Sequence, residues 1–149
     1  TADKAVKADA IVLGAVGGPK WDILPLNERP EKGLLAIRKE LGLYANLRPL
    51  DIYPSLLDFS PLKSHLLQSV SFMVVRELTG DLYFGQPRGM ENDKAWNTMT
   101  YTKAEIKRIA DKAFQIARKR KGKVCSIDKA NVLETMVLWR KTVEEVHVN

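Results

Sequence analysis

The chain has 149 residues, 45% hydrophobic and 28% charged, with a net charge of +6 and one cysteine, Cys125. That length supports a real core, the composition excludes a low-complexity chain, and no apolar stretch approaches the roughly 20 residues of a membrane span. A lone cysteine excludes an internal disulfide and fits a reducing, cytoplasmic compartment, and the charged start Thr1–Asp9 lacks the apolar core of a signal peptide.

Ala8–Val16 is apolar and rich in β-branched residues, and it runs into Gly14, Gly17 and Gly18. This predicts a buried strand of parallel type leading into a glycine-rich loop. Pro19 to Pro30 holds several prolines and no apolar period, and is read as irregular. A helix is predicted from Glu31 to a stop at Gly42, with Glu31, Leu34, Leu35 and Arg38 on one face. Tyr44–Tyr53 reads as a strand bent at Pro49, and Pro61–Gln68 as a short helix. Ser71–Leu78 is predicted as a second buried strand, with Leu82–Phe84 continuing it past the Thr79-Gly80 break. Gln86–Asn97 reads as an exposed excursion and Thr98–Tyr101 as a short returning strand.

Thr102 and Glu105 form a capping box for a helix with Ile106, Ile109, Ala110, Ala113 and Ala117 inward, ending at Gly122. Val124–Ile127 is read as a short strand, and Asn131 as the cap of a last helix with Val132, Met136, Trp139, Val143 and Val146 inward. Strands alternating with helices define an α/β chain, a layered sheet with flanking helices. The positive excess gathers at Arg118, Lys119, Arg120, Lys121 and Lys123. Cations there complement a helix end, and no nucleic-acid signature accompanies them, so neither nucleic acid nor membrane is expected as a partner.

The chemistry concentrates in a few places. Arg76 closes an apolar strand and Tyr83 follows the turn after it; a guanidinium fork suits a carboxylate, and a phenol can donate a proton. Arg38 and Arg48 lie on two further elements, and three converging arginines would hold two carboxylates, although each taken singly also reads as a surface residue. Tyr83 equally suits half-buried packing. Lys129 follows a strand and precedes a helix, where burial would make a base of it and solvation would leave a plain loop lysine. The Gly14–Lys20 loop departs from the dinucleotide fingerprint G-x-G-x-x-G, and His65 and His147 have no partner at metal-ligand spacing.

Several longer segments match one family in register. They are Gly14–Asp22, Arg29–Leu35, Tyr44–Pro49, Arg76–Arg88 and Ser126–Leu133, and with them the chain resembles the 3-isopropylmalate dehydrogenases, within the isocitrate/isopropylmalate dehydrogenase family. The resemblance implies the fold of that family, incomplete here: 1–43 as the end of a dinucleotide-side domain, and 44–149 as a substrate and dimerisation domain with an arm at 86–101. It implies NAD-dependent oxidation and decarboxylation of 3-isopropylmalate, with Arg38, Arg48 and Arg76 on the substrate carboxylates. Lys129 would take the hydroxyl proton and Tyr83 would protonate the enol, while Leu34, Leu35 and Val132 would line the isopropyl pocket. Gly18, Pro19, Lys20, Trp21, Asp22, Glu31 and Asn131 would border NAD. Ligands for Mg2+ or Mn2+ are expected outside this chain, which by itself is expected to be inactive. A homodimer is expected through the arm and the last helices, with Lys129 reaching into the partner's site. Two alternatives remain open at this point: a sister β-decarboxylating enzyme acting on isocitrate, homoisocitrate or tartrate, and a non-catalytic dimerisation module.

Overall fold

The computed structural model describes residues 2–148, and the chain divides into two compact units, Thr1–Tyr44 and Ala45–Asn149. In the first unit a short helix, α1 (Ala2–Val6), precedes an extended segment that is not a strand. The expected strand at 8–16 is thus corrected: no described strand pairs with it, and Ile11, Val12 and Leu13 are exposed. A run of β-branched residues favours extended backbone, but a strand exists only where a neighbour satisfies its amides and carbonyls.

A single 3-10 turn, Pro19–Trp21, follows the glycines. Arg29 then ties down the irregular stretch by donating from Nε to the Leu24 carbonyl (3.0 Å) and from Nη2 to the Asp22 carbonyl (2.7 Å). Helix α2 (Pro30–Glu40) starts with a proline whose missing N–H would have had no helical partner, and it places Glu31 in its first turn and Arg38 and Lys39 in its last. It ends as expected at Gly42, in the left-handed region at φ 59°. The Leu43 amide bonds the Arg38 carbonyl (2.9 Å) and the Gly42 amide bonds the Lys39 carbonyl (3.1 Å), the paired bonds of a Schellman stop.

The second unit is built on an antiparallel pair, β1 (Ala45–Asp51) and β2 (Ser71–Glu77), with Asn46 opposite Arg76 and Arg48 opposite Val74. Residues opposite each other share a face. One face therefore carries Asn46, Arg48, Leu50, Phe72, Val74 and Arg76, and the other carries Leu47, Met73, Val75 and Glu77. Helix α3 (Lys103–Arg118) covers the second face: Arg108 reaches Glu77, and Arg120, just past the helix, reaches Ser71. Twelve helical residues rise about 18 Å and six strand residues about 20 Å, so helix and strand run alongside in opposite directions.

Ile106, Ile109, Ala110 and Ala117 are buried on the expected face of α3. Helix α4 (Glu134–Val148) packs against it and buries Thr142, whose hydroxyl bonds the Leu138 carbonyl at 2.8 Å. The capping box at Thr102 and Glu105 is formed in both directions. Asn131, however, is not the cap of α4: the helix begins at Glu134 and the Leu133 carbonyl takes the first helical bond, from Val137 at 3.0 Å.

Four other expectations are corrected. Leu82–Phe84 does not continue β2, because a 3-10 turn spans Asp81–Tyr83. Thr98–Tyr101 forms no strand; its Thr100 carbonyl instead takes the Asp81 amide (2.9 Å). Val124–Ile127 is irregular, with Ile127 exposed and no described strand beside it. In place of a helix over 61–68 there is only a 3-10 turn, Ser64–Leu66, preceded by another at Pro54–Phe59. The exposed excursion is itself a hairpin, β3 (Gly89–Glu91) and β4 (Lys94–Trp96), turning at Asn92 with φ 49°.

Candidate active site

The open face of the β1–β2 pair brings three of the expected groups together. Arg76 donates from Nη2 to the phenolic oxygen of Tyr83 at 2.9 Å, and its guanidinium lies 5.2 Å from the ring centre. Arginine has no acceptor, so the Tyr83 oxygen accepts and its own proton is not used in this bond. Arg48 stands diagonally across the same face, held by a 2.7 Å bond from its Nε to Oδ1 of Asn46, the residue opposite Arg76. Two guanidinium groups and a phenol thus share one surface, with Asn46, Leu50, Phe72 and Val74 on the same face.

The turn that returns Tyr83 to Arg76 is held from the other face. Glu77, next in chain to Arg76, points inward and is 5% exposed. Its carboxylate accepts from the Thr79 amide, the Thr79 hydroxyl and the Gly80 amide, each at 2.7 Å, and from Arg108 at 3.0 Å. Capture of those two amides stops the ladder at Glu77, which is why no strand continues beyond it. Arg108 also bonds the Thr79 hydroxyl. After the turn, Arg88 donates to the Tyr83 carbonyl at 2.5 Å.

Beneath the turn lies Tyr101, edge-on to Trp139 with ring centres 5.2 Å apart. Burial first, and then the Asp81 and Glu77 carboxylates, raise its phenol well above the ordinary 10.0, outweighing the opposite pull of Arg76. A pKa raised on folding gives stability that is whole below the unfolded value near 10.0 and is lost as pH rises through the folded one. The expected result is that one of the four tyrosines resists ionisation in an absorbance titration. In Tyr101→Phe that late phase should vanish and the alkaline loss of stability should become shallower; an unchanged titration would refute the assignment.

Lys129 is exposed, on the loop before α4. Of the two readings of Lys129, a buried base or a solvated loop lysine, the chain shows the solvated one. Val132 is exposed too, at 63%, and Asn131 is exposed beside it. In the first unit, Leu34, Leu35 and Arg38 are half-buried along α2 while Glu31 is exposed. Lys20 lies over the Trp21 ring at 4.9 Å, and both belong to the exposed stretch Gly18, Pro19, Lys20, Trp21 and Asp22.

The glycine loop of that stretch is closed on one side and open on the other. Gly17, at φ 91°, packs so closely on the Glu31 carboxylate that a Cβ would collide with it. A Cβ on Gly18 would meet nothing within 4 Å, so the outer side of the loop stays open to a ligand pressed against backbone. A metal does not fit: among the described residues no three His, Cys, Asp or Glu side chains are grouped to hold one.

Sequence reasoning missed Asn46, Glu77, Arg108 and Arg29. The period of two contained a signal for Glu77: an acid facing opposite to Arg76 on an apolar strand must be buried, and a buried acid must be paired. Its partner Arg108, 31 residues on, had no local signal.

Paired arginines, a phenol braced by one of them and an open glycine loop thus stand on one α/β chain. The whole chain, residues 1–149, matches the isocitrate/isopropylmalate dehydrogenase family. It is 56% identical over 149 residues to 3-isopropylmalate dehydrogenase of Chlorobium chlorochromatii (strain CaD3), covering 100% of this chain and 42% of that protein. With the 3-isopropylmalate dehydrogenase of Aquifex aeolicus (strain VF5) it shares 57% identity over 147 residues, 96% of this chain and 40% of that one. The apo crystal structure of a β-decarboxylating dehydrogenase from Thermococcus kodakarensis superposes with a TM-score of 0.66 at 30% identity, over 97% of this chain and 38% of the other. The chain belongs to the isocitrate/isopropylmalate dehydrogenase family. It spans about two fifths of the length of these relatives.

Proposed function

We propose that the protein carrying this chain oxidises and decarboxylates 3-isopropylmalate to 4-methyl-2-oxopentanoate with NAD, a step of leucine biosynthesis. The observation that carries this reading is the open face on which Arg48 and Arg76 stand together and Arg76 braces Tyr83 at 2.9 Å. Arg48 and Arg76 bind the substrate carboxylates and orient the hydroxyl carbon, and a carboxylate-binding role is assigned to Arg38 by the family resemblance. Lys129 takes the hydroxyl proton as the carbonyl forms. NAD would supply the hydride acceptor for that carbon; Gly18, Pro19, Lys20, Trp21, Asp22 and Glu31 would border it, and the same role is assigned to Asn131. Cleavage of the bond to the carboxylate releases CO2 and leaves its electron pair in an enolate, and Tyr83 delivers its proton to the enolate carbon, restoring the ketone. Arg76, donating to the phenolic oxygen, stabilises the negative charge left there.

Contact with the isopropyl group is assigned to Leu34 and Leu35, and likewise to Val132; their aliphatic side chains offer a third carboxylate no donor. The requirement for Mg2+ or Mn2+ is assigned to residues other than those described. Among the described residues no helix is long and apolar enough to cross a membrane. The exposed Cys125 suits the cytoplasm, where we place the protein. The hairpin arm within 86–101 leaves Met90 77% exposed and Trp96 37% exposed, which supports a homodimer clasped through the arm and the last helices.

The test is NADH formation by the full-length protein with Mg2+. The expected result is a kcat/KM for 3-isopropylmalate at least ~10²-fold above that for isocitrate, since an apolar pocket leaves the extra carboxylate unpaired. Equal or better use of isocitrate would move the protein to the sister activity. No NADH from either substrate, with a dimer retained, would leave only the dimerisation role.

A further inference from the structure

Lys129 is exposed and lies in no helix or strand, yet the backbone on both sides of it is tied down. Before it, Asp128 receives two bonds from Arg140 of α4, Nη2 to Oδ1 at 2.7 Å and Nε to Oδ2 at 3.1 Å. The same Oδ1 accepts the Ala130 amide at 3.0 Å, closing a turn over the lysine. Behind it, the Lys129 carbonyl accepts the amides of Val132 and Leu133, both at 3.1 Å. Farther upstream, Trp139 donates from its indole nitrogen to the Ser126 hydroxyl at 3.1 Å. Consecutive residues of one helix, Trp139 and Arg140, thus hold the loop at two points. The Asp128 side chain is 7% exposed in this arrangement, whereas that of Arg140 remains 55% exposed.

Ordering a loop costs conformational entropy, and a lysine that merely faces water gains nothing from it. A lysine that must meet one hydroxyl proton does, because a misplacement of about 1 Å costs about 10²-fold in rate. We propose that Arg140, acting through Asp128, is a positioning residue that holds the Lys129 turn in place for proton transfer. The inference rests on the role given to Lys129 above. Both bonds from Arg140 use the planar fork of the guanidinium, which a lysine ammonium cannot reproduce. The clamp is also robust to acid: the Arg140 bond first, then the Ala130 amide, hold the Asp128 carboxyl below its ordinary value of 3.8, so its hold is complete above that value and is lost only as pH falls further.

The experiment compares the full-length protein with its Arg140→Gln, Arg140→Lys and Asp128→Asn variants, by steady-state kinetics on 3-isopropylmalate and by hydrogen exchange at the Ala130 amide. The expected result is a kcat lowered about 10- to 100-fold in Arg140→Gln and Asp128→Asn, with KM within about twofold because the substrate arginines are untouched. Ala130 should exchange faster in both, and Arg140→Lys should recover little of either loss. Faster exchange with kcat unchanged overturns the inference, as does a lost kcat with exchange unchanged or a loss expressed in KM alone. A wild-type protein that forms no NADH fails earlier, and that result falls on the proposed function itself.

Discussion

On the proposed function, Tyr83→Phe is expected to lower kcat of the full-length protein by about 10²–10⁴-fold and to leave KM for 3-isopropylmalate nearly unchanged, the signature of a lost proton donor. The phenyl ring keeps the packing and the 5.2 Å approach to the Arg76 guanidinium, so what disappears is the hydroxyl that accepts from Arg76 at 2.9 Å. With the donor gone, decarboxylation can proceed while protonation of the enolate is left to water. Isotope exchange into the product carbon and the pH dependence of kcat would both report that change. A variant with wild-type kcat would remove Tyr83 from the reaction and leave it as a packing residue on the rim of the arginine face.

Glu77→Ala is expected to cost roughly 3 kcal/mol of stability, measured by denaturant unfolding of the full-length protein. Removing one member of a buried pair strands the other, and here two backbone amides and the Thr79 hydroxyl lose their acceptor as well. The value is taken at the low end of the range for buried pairs because the Arg108 side chain is 38% exposed and can recover water. Glu77→Gln, which preserves shape, keeps an acceptor for the amides and turns its NH2 toward Arg108; about 1–3 kcal/mol is expected for it. If both variants unfold like the wild type, the network contributes nothing to stability and the turn must be held by Arg88 and the Asp81–Thr100 bond. Because the same turn sets Tyr83 against Arg76, kcat should fall in Glu77→Ala even where the protein remains folded.

What could be read in advance followed locality. The capping box at Thr102, the inward face of α3 and the stop of α2 at Gly42 depend on residues within four or five positions of each other, and each stands as expected. The proposed strands at 8–16 and 124–127 were read from apolar runs, and they fail because a ladder needs a partner that composition cannot name. Leu82–Phe84 fails for a different reason: the Glu77 carboxylate captures the amides that would have carried the strand forward. The same distinction divides the site. Arg76 and Tyr83 lie seven positions apart and were legible as a cation and a phenol around a turn, whereas Arg48 joins them only through the β1–β2 register.

By itself, then, the amino-acid order determined which chemical groups this chain owns, where α2 stops and α3 starts, and which family its segments match. Tertiary structure alone decided that Arg48 and Arg76 share a face, that Glu77 is buried against Arg108, and that Arg140 reaches back to the turn at Lys129. Those are contacts between elements 12 to 31 residues apart. They come from strand register and helix packing, which bring distant side chains together without leaving a mark in the residues between them.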